Sequence, residues 1–249
     1  ARSKAYLFRG VEIRWQCASL WLAETDVPEI DVFHFPGGLK DFLDQELHGQ
    51  TTVTEAPFSG EADLPDRQGR VEWAIAWPTQ QDGFTNSYCN TIPTTAGGTH
   101  ESGMRSALVK GLKAYGDLAG NRRTATVSSE DVVGNIAVIL SVFIREPQFQ
   151  GQTKEKLSST DATRLVETAM RDHFDHWLSG APNMANALLA YAILNAEERL
   201  RRKQEREVRR KTATRKLRLP GKLTDCTRAD AQGTELYIVE GDSAGGSAK

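Results

Sequence analysis

Cysteine is scarce: three occur in 249 residues, Cys17, Cys89 and Cys226, far apart and odd in number. No C-x-x-C is present. That excludes a disulfide scaffold and suits a reducing cytoplasm, with the cysteines acting as small core residues. Long hydrophobic runs are missing as well. The longest of note, Ile136 to Ile144, has a strand's length and falls far short of a membrane span. The first eight residues, Ala1 to Phe8, contain no initiator Met and no signal-like apolar stretch, and read as the cut edge of a longer chain. A large charge excess is also absent, since the net charge is −2.

That balance conceals an asymmetry. Residues 1–150 hold 13 basic and 19 acidic residues, a charge of −6, and residues 151–249 carry +4. Within the second half, residues 196–222 hold 12 basic and 4 acidic side chains, a charge of +8. One end of the molecule is expected to work near a polyanion. With 39% hydrophobic and 26% charged residues, the composition is that of a soluble globular protein of one large or two ordinary domains.

Three blocks are expected along the chain. In the first, roughly 1–50, Val11, Ile13 and Trp15 alternate with Glu12 and Arg14 as a half-buried strand. Ile30 to Phe35 reads as another strand. A helix follows from Leu39 to Leu47, with Leu39, Phe42, Leu43 and Leu47 on one face. So little material makes a poor core alone, and this block looks like the tail of a preceding domain.

The second block runs over about 51–180. Val71, Trp73, Ile75 and Trp77 alternate, and Phe84 to Ile92 follows the turn Gln81-Asp82-Gly83, which suggests an antiparallel hairpin. Thr99 is the expected N-cap of a helix reaching about Ala119, and Ser128 or Ser129 caps a short one. Ile136 to Ile144 is the expected central strand. A helix from Asp161 to Leu178 is closed by Gly180. The fold class is α+β, a sandwich with helices on one sheet face. His173 and His176 lie i, i+3 on that helix, but no third ligand is evident for a metal.

The third block is a long helix from about Pro182 to Thr212, about 45 Å at 1.5 Å per residue. Met184, Leu188, Ala192, Ala196 and Leu200 form an i+4 row that packs down. Beyond it, Glu197, Glu198, Glu205 and Glu207 each have Arg or Lys four residues on, which lets the distal half stand in solvent. A solvated strut and a strut facing DNA both fit, and base-specific readout has no support.

Glu235 to Lys249 carries the most chemistry. A short apolar run, Leu236 to Val239, reads as a buried parallel strand. Glu240 and the glycines 241, 245 and 246 follow. A glycine-rich turn after a strand can cradle an anion, and a carboxylate beside it makes sense with Mg²⁺ between them. Asp242 offers a second oxygen. Gly241 to Gly245 also fits G-x-S-x-G, but an α/β-hydrolase needs an acid and a His afterwards, and nothing orients His100 or His173 as an alternative base. A strand and turn without function is the bland alternative.

Several stretches resemble the ATPase subunits of bacterial type IIA DNA topoisomerases. They are Ala1 to Ile13, Gly97 to His100, Gln152 to Ser159, Leu219 to Cys226 and Glu235 to Lys249, spread over the full length. The first and third look more like the topoisomerase IV branch than the gyrase branch. The resemblance implies a GHKL-type ATPase domain ending near residue 50. It implies a transducer domain of ribosomal-protein-S5-like fold (a mixed sheet with helices on one face) over 51–180, a basic helix and linker over 181–233, and the opening of a TOPRIM domain at 234–249. Lys154 matches the transducer lysine that reaches the ATP γ-phosphate, and Gln152 matches its polar neighbour. Glu240 matches the TOPRIM glutamate that helps bind Mg²⁺ and supports DNA cleavage. The implied cofactors are ATP and Mg²⁺. The implied partners are DNA, the A-type subunit of topoisomerase IV in a heterotetramer, and a second copy in an ATP-gated dimer, with no membrane. The rest of the ATP pocket, the later metal ligands and the DNA-cleaving tyrosine are expected outside these residues. This stretch is therefore expected to be inactive alone. The rival expectations are a gyrase B protein and a non-enzymatic S5-like nucleic-acid-binding module.

Overall fold

The computed structural model describes residues 1–22, 25–215, 235, 236 and 238. The chain divides into two compact units, Ala1–Glu197 and Glu198–Lys249. Among the described residues no helix is long and apolar enough to cross a membrane.

The first unit is built on a mixed five-stranded sheet. Its strands are β3 (Phe58–Asp63), β4 (Gly69–Ala76), β5 (Thr85–Cys89), β6 (Ile92–Pro93) and β7 (Ala137–Ile144), in the order β3-β4-β7-β5-β6. β7 is central, as its run of apolar and β-branched residues, interrupted only by Ser141, favours. Such a strand is buried on both faces and wants a neighbour on each edge. It pairs antiparallel with β4, Trp73 opposite Leu140, and parallel with β5, Ser87 opposite Leu140.

The expected hairpin between Val71–Trp77 and Phe84–Ile92 is therefore corrected: β7 lies between β4 and β5. The turn residues are where the sequence puts them, but β4 ends at Ala76, well before Gly83. The connection is held instead by Asn135 at the start of β7. Its Oδ1 accepts from the Gly83 amide at 2.5 Å, and its Nδ2 donates to the carbonyls of Pro78 (3.1 Å) and Gln81 (3.2 Å). Those side-chain bonds take the place of hairpin closure.

Alternation along the strands sends two sets of side chains to two faces. Val71, Trp73, Ile75, Val138, Leu140 and Val142 meet α3 (Thr99–Leu118), α4 (Ser129–Val133) and α5 (Thr160–Gly180). Phe58, Trp73, Trp77, Phe174 and Trp177 form an aromatic cluster there, and the Trp77 indole N–H donates to the Val132 carbonyl at 3.0 Å. Each such side chain contributes about 1.5–3 kcal/mol by leaving water. The other set, Ala74, Ala76, Ala137 and Ile139 with Tyr88, is small and is covered by α1 (Arg2–Leu7) and α2 (Leu39–Glu46). So the helices of residues 51–180 share one face, and the first block closes the other. The first block's strands, β1 (Glu12–Gln16) and β2 (Ile30–His34), pair antiparallel with each other. α1 is a short helix that the apolar pattern did not mark.

Helix starts differ in detail. Ser128 is the N-cap of α4, and its amide and hydroxyl both donate to Asp131 Oδ2. For α3 the N-cap is Gly98, not Thr99, because φ of 150° there is a backbone state that favours glycine.

The last helix, α6, runs Pro182–Arg215. Ala185, Leu188, Leu189, Ala192, Ile193 and Ala196 are buried in the first unit. Leu200, expected in the packed row, is exposed. The charge pairing is part as expected. Arg202 bonds Glu198 at 3.2 Å, but Arg201 lies 3.9 Å from Glu205, and Glu197 is taken by Arg123 at 3.2 Å. The expected pairs of Glu205 with Arg209 and of Glu207 with Lys211 lie outside the described side chains. Leu236 and Ile238 are exposed and outside regular structure. The neighbours that a buried parallel strand needs are not among the described residues.

Candidate functional site

Residues 149–157 form a small hairpin of β8 (Phe149–Gln150) and β9 (Lys156–Leu157), with Phe149 opposite Leu157. Leu157 is fully buried in the main core and Phe149 packs against it, so the base of the hairpin is anchored by burial. The loop carries Gly151, Gln152, Thr153 and Lys154, all exposed. Gly151 has φ of 80° and Lys154 has φ of 58°. A left-handed lysine costs on the order of 1 kcal/mol, and such strain collects where function requires it. The Lys154 ammonium lies 5.9 Å from the Phe149 ring centroid, at the edge of cation–π range.

Backbone hydrogen bonds tie the hairpin to the start of α3. The Ala96 amide donates to the Glu155 carbonyl at 2.9 Å, and the Leu157 amide donates to the Gly97 carbonyl at 3.1 Å. Gly98 bridges to Leu157 in parallel register. A Cβ at Gly98 would sit 2.4 Å from the Leu157 carbonyl oxygen, so only glycine allows this approach.

A buried polar chain lies beside that junction. His100 Nε2 is 3.1 Å from Thr94 Oγ1, Thr94 Oγ1 is 2.6 Å from Ser87 Oγ, and Ser87 Oγ donates to Glu101 Oε1 at 2.7 Å. His100 is fully buried, and burial pushes its pKa down to about 4, so the ring is neutral at ordinary pH. Ser87 gives its hydroxyl proton to the Glu101 carboxyl oxygen. Ser87 then accepts from Thr94, and Thr94 accepts from the His100 Nε2–H. His100 Nδ1 is left with no hydrogen-bond partner.

A buried acid faces the first block. Glu72 on β4 lies 3.7 Å from Arg9, and burial raises its carboxyl pKa despite that guanidinium. Nearby, the phenols of Tyr6 and Tyr88 meet at 2.5 Å, and Lys4 Nζ donates to Thr91 Oγ1 at 2.5 Å and to its carbonyl at 3.1 Å.

Of the site residues expected from sequence, Gln152 and Lys154 thus share one exposed loop. Glu240, with Asp242 and the G-x-S-x-G serine, lies outside the described residues. His173 is committed elsewhere: its Nδ1 lies 3.1 Å from the Ala169 carbonyl oxygen and its ring packs edge-on to Trp73. Among the described residues no group of three or more His, Cys, Asp or Glu could hold a metal ion. Sequence reading passed over Ser87 and Thr94, which nothing but the β5–β6 turn brings together.

The family model for DNA gyrase B matches residues 38–208. The B-type subunit of DNA topoisomerase 4 from Bartonella bacilliformis is 57% identical across the whole chain, which covers 36% of that relative's length. Among solved structures, the 43K ATPase domain of Thermus thermophilus gyrase B aligns with a TM-score of 0.69 and 25% identity, over 83% of this chain and 54% of that one. The topoisomerase IV ATP-binding domain of Francisella tularensis aligns with a TM-score of 0.65 and 28% identity, over 80% and 52%. The chain spans little more than a third of the length of curated relatives it matches. A family model over most of its residues and a relative more than half identical from end to end make this chain a member of the DNA gyrase B family, alongside the B-type subunits of gyrase and topoisomerase IV.

Proposed function

We propose that this chain is the mechanical coupler of an ATP-driven type II DNA topoisomerase of the topoisomerase IV kind, which relaxes and decatenates DNA in the cytoplasm. In this reading residues 1–50 close a GHKL-type ATPase domain, 51–180 are an S5-like transducer, 181–233 a basic helix and linker, and 234–249 open a TOPRIM domain. The observation that carries it is the exposed Lys154, in a left-handed backbone on a hairpin whose base is anchored in the core. Lys154, with Gln152 beside it, reaches the γ-phosphate of ATP bound in the ATPase domain. A compact ammonium suits a phosphate whose charge changes on hydrolysis. While ATP is intact the contact biases the transducer to one orientation, and hydrolysis releases it. Two copies of the ATPase subunit dimerise on ATP and act on DNA with two DNA-cleaving A-type subunits as a heterotetramer. Glu240 supplies one oxygen ligand to Mg²⁺ at the cleavage centre.

In the full-length protein, Lys154→Ala is expected to lower ATP turnover at least tenfold, and turnover at the parental rate rejects the phosphate contact. Glu240→Ala in the heterotetramer is expected to abolish Mg²⁺-dependent DNA cleavage and leave ATP hydrolysis largely intact. Normal cleavage by that variant removes the metal role. Gyrase is the second reading, favoured by the match to its family model. Supercoiling assays with the DNA-cleaving subunits of gyrase and of topoisomerase IV in turn separate the two, since only gyrase introduces negative supercoils.

A further inference from the structure

We infer that Thr94 and His100 are positioning residues for Lys154, acting through the backbone of residues 94–98; this rests on the reading of Lys154 as a phosphate contact. The hairpin holds to α3 by two amide hydrogen bonds and one bridge, all on residues 96–98. Residue 155, whose carbonyl takes the Ala96 amide, is the immediate neighbour of Lys154. The position of residues 96–98 therefore sets the starting point of the lysine side chain.

That segment has little side chain of its own to pack. It contains Gly97 and Gly98, with φ of 70° and 150°, which have no side chains to bury and the widest backbone freedom. Polar bonds on both flanks add to the close contact that Gly98 makes with Leu157. On one flank the Thr94 amide donates to the Ser87 carbonyl at 2.8 Å, and the Thr94 carbonyl accepts from the Gly97 amide at 2.8 Å. On the other, His100 enters from the first turn of α3 and bonds Thr94 Oγ1. Thr94 thus ties β5, the glycine pair and α3 together, and both Thr94 and His100 are almost fully buried.

The choice of side chains fits a positioning task better than a stabilising one. A buried imidazole with Nδ1 unpartnered is costly, and an apolar residue would fill the space at lower cost. What imidazole adds is one directed bond from the helix to the loop. The polar chain ends on Glu101, whose carboxylate lies against Gly97: a Cβ there would meet Glu101 Oε2 at 2.9 Å. The acid therefore closes the loop from its other side. Neither Thr94 nor His100 touches nucleotide in this scheme.

The test uses the full-length protein assembled with its DNA-cleaving partner. Thr94→Val, of equal volume and lacking the hydroxyl, is expected to lower kcat for ATP about tenfold and leave KM within about twofold. Amide exchange at Ala96 and Leu157 is expected to rise about tenfold, with the central strand β7 unchanged. Thr94→Ser is expected to restore both. Parental kcat in Thr94→Val overturns the inference, as does a fall in kcat with unaltered exchange at Ala96 and Leu157. A rise in exchange throughout β7 also overturns it, since the role is then merely structural. If Thr94→Val does not fold, Ser87→Ala, which removes the hydroxyl supporting Thr94, is judged by the same criteria. Lys154→Ala is measured in parallel. If it turns over ATP normally, the phosphate contact itself falls and takes this inference with it; if it is impaired and Thr94→Val is not, the inference alone fails.

Discussion

His100 shows how far one buried side chain departs from its solution chemistry. Its ring titrates near 4 in the folded chain against 6.5 when unfolded. Between those values the unfolded chain binds a proton that the folded chain refuses. Stability is therefore complete above pH 6.5 and falls as pH drops towards 4, by about 3 kcal/mol in all at about 1.4 kcal/mol per unit. Urea unfolding at pH 4.5 and 7 checks this. His100→Gln, which keeps a donor and cannot titrate, is expected to flatten that part of the slope, and an unchanged slope in the variant refutes it. The motif Gly97 to His100 was visible in sequence as part of a resemblance, yet its physical content was not. Neither Thr94 nor Ser87 carries any mark of its role, because their partners are set by the β5–β6 turn and by the approach of α3. Lys154 is the reverse case. Its chemistry was named from sequence, whereas its left-handed backbone and its seat near Phe149 came only from the fold.

Among elements, the pair α3 and α5 makes the clearest case. α5 shows its burial in its spacing, with Leu165, Val166, Ala169, Met170, Phe174 and Leu178 all inward. α3 meets it through glycines. A Cβ on Gly103 would lie 2.4 Å from the Thr163 carbonyl oxygen, a backbone atom that cannot step aside. Gly103→Ala gains about 1 kcal/mol of helix propensity but forces the helices apart at a cost of about 1–3 kcal/mol. A net loss of up to about 2 kcal/mol in urea unfolding is expected. Gly180, at the exposed end of α5, has nothing within 4 Å of such a Cβ, and Gly180→Ala is expected to stabilise by a few tenths to about 1 kcal/mol. Equal effects at the two sites would sink the packing account. Strand identity was likewise legible, as β4 and β7 fall where alternation and the apolar run put them. Strand adjacency was not, because a turn signal at Gln81–Gly83 says only that the chain reverses, and β7 arrives some fifty residues later to take the edge.

For the molecule as a whole, the second face of the sheet matters most. Ala74, Ala76, Ala137, Ile139 and Tyr88 are buried only because α1 and α2 cover them. Burial and the Tyr88 hydroxyl push the Tyr6 phenol far above its usual pKa, which reports how dry that contact is. Residues 51–197 alone would expose this face. We expect them to bind the dye ANS and to melt on the order of 10 °C below residues 1–197, since a few kcal/mol shifts a domain of this size by that much. Equal melting without dye binding would show that the first block is an appendage.

Local pattern was enough to mark most helix faces, the central strand, the charge asymmetry and the family resemblance, since each is written in residues close together along the chain. The neighbours of each strand, the covering of the sheet's second face and the polar chain from His100 to Glu101 were decided by tertiary structure alone. Those features join residues far apart in sequence, and their free energy exists only once both sides have been brought into contact and water has left the space between them.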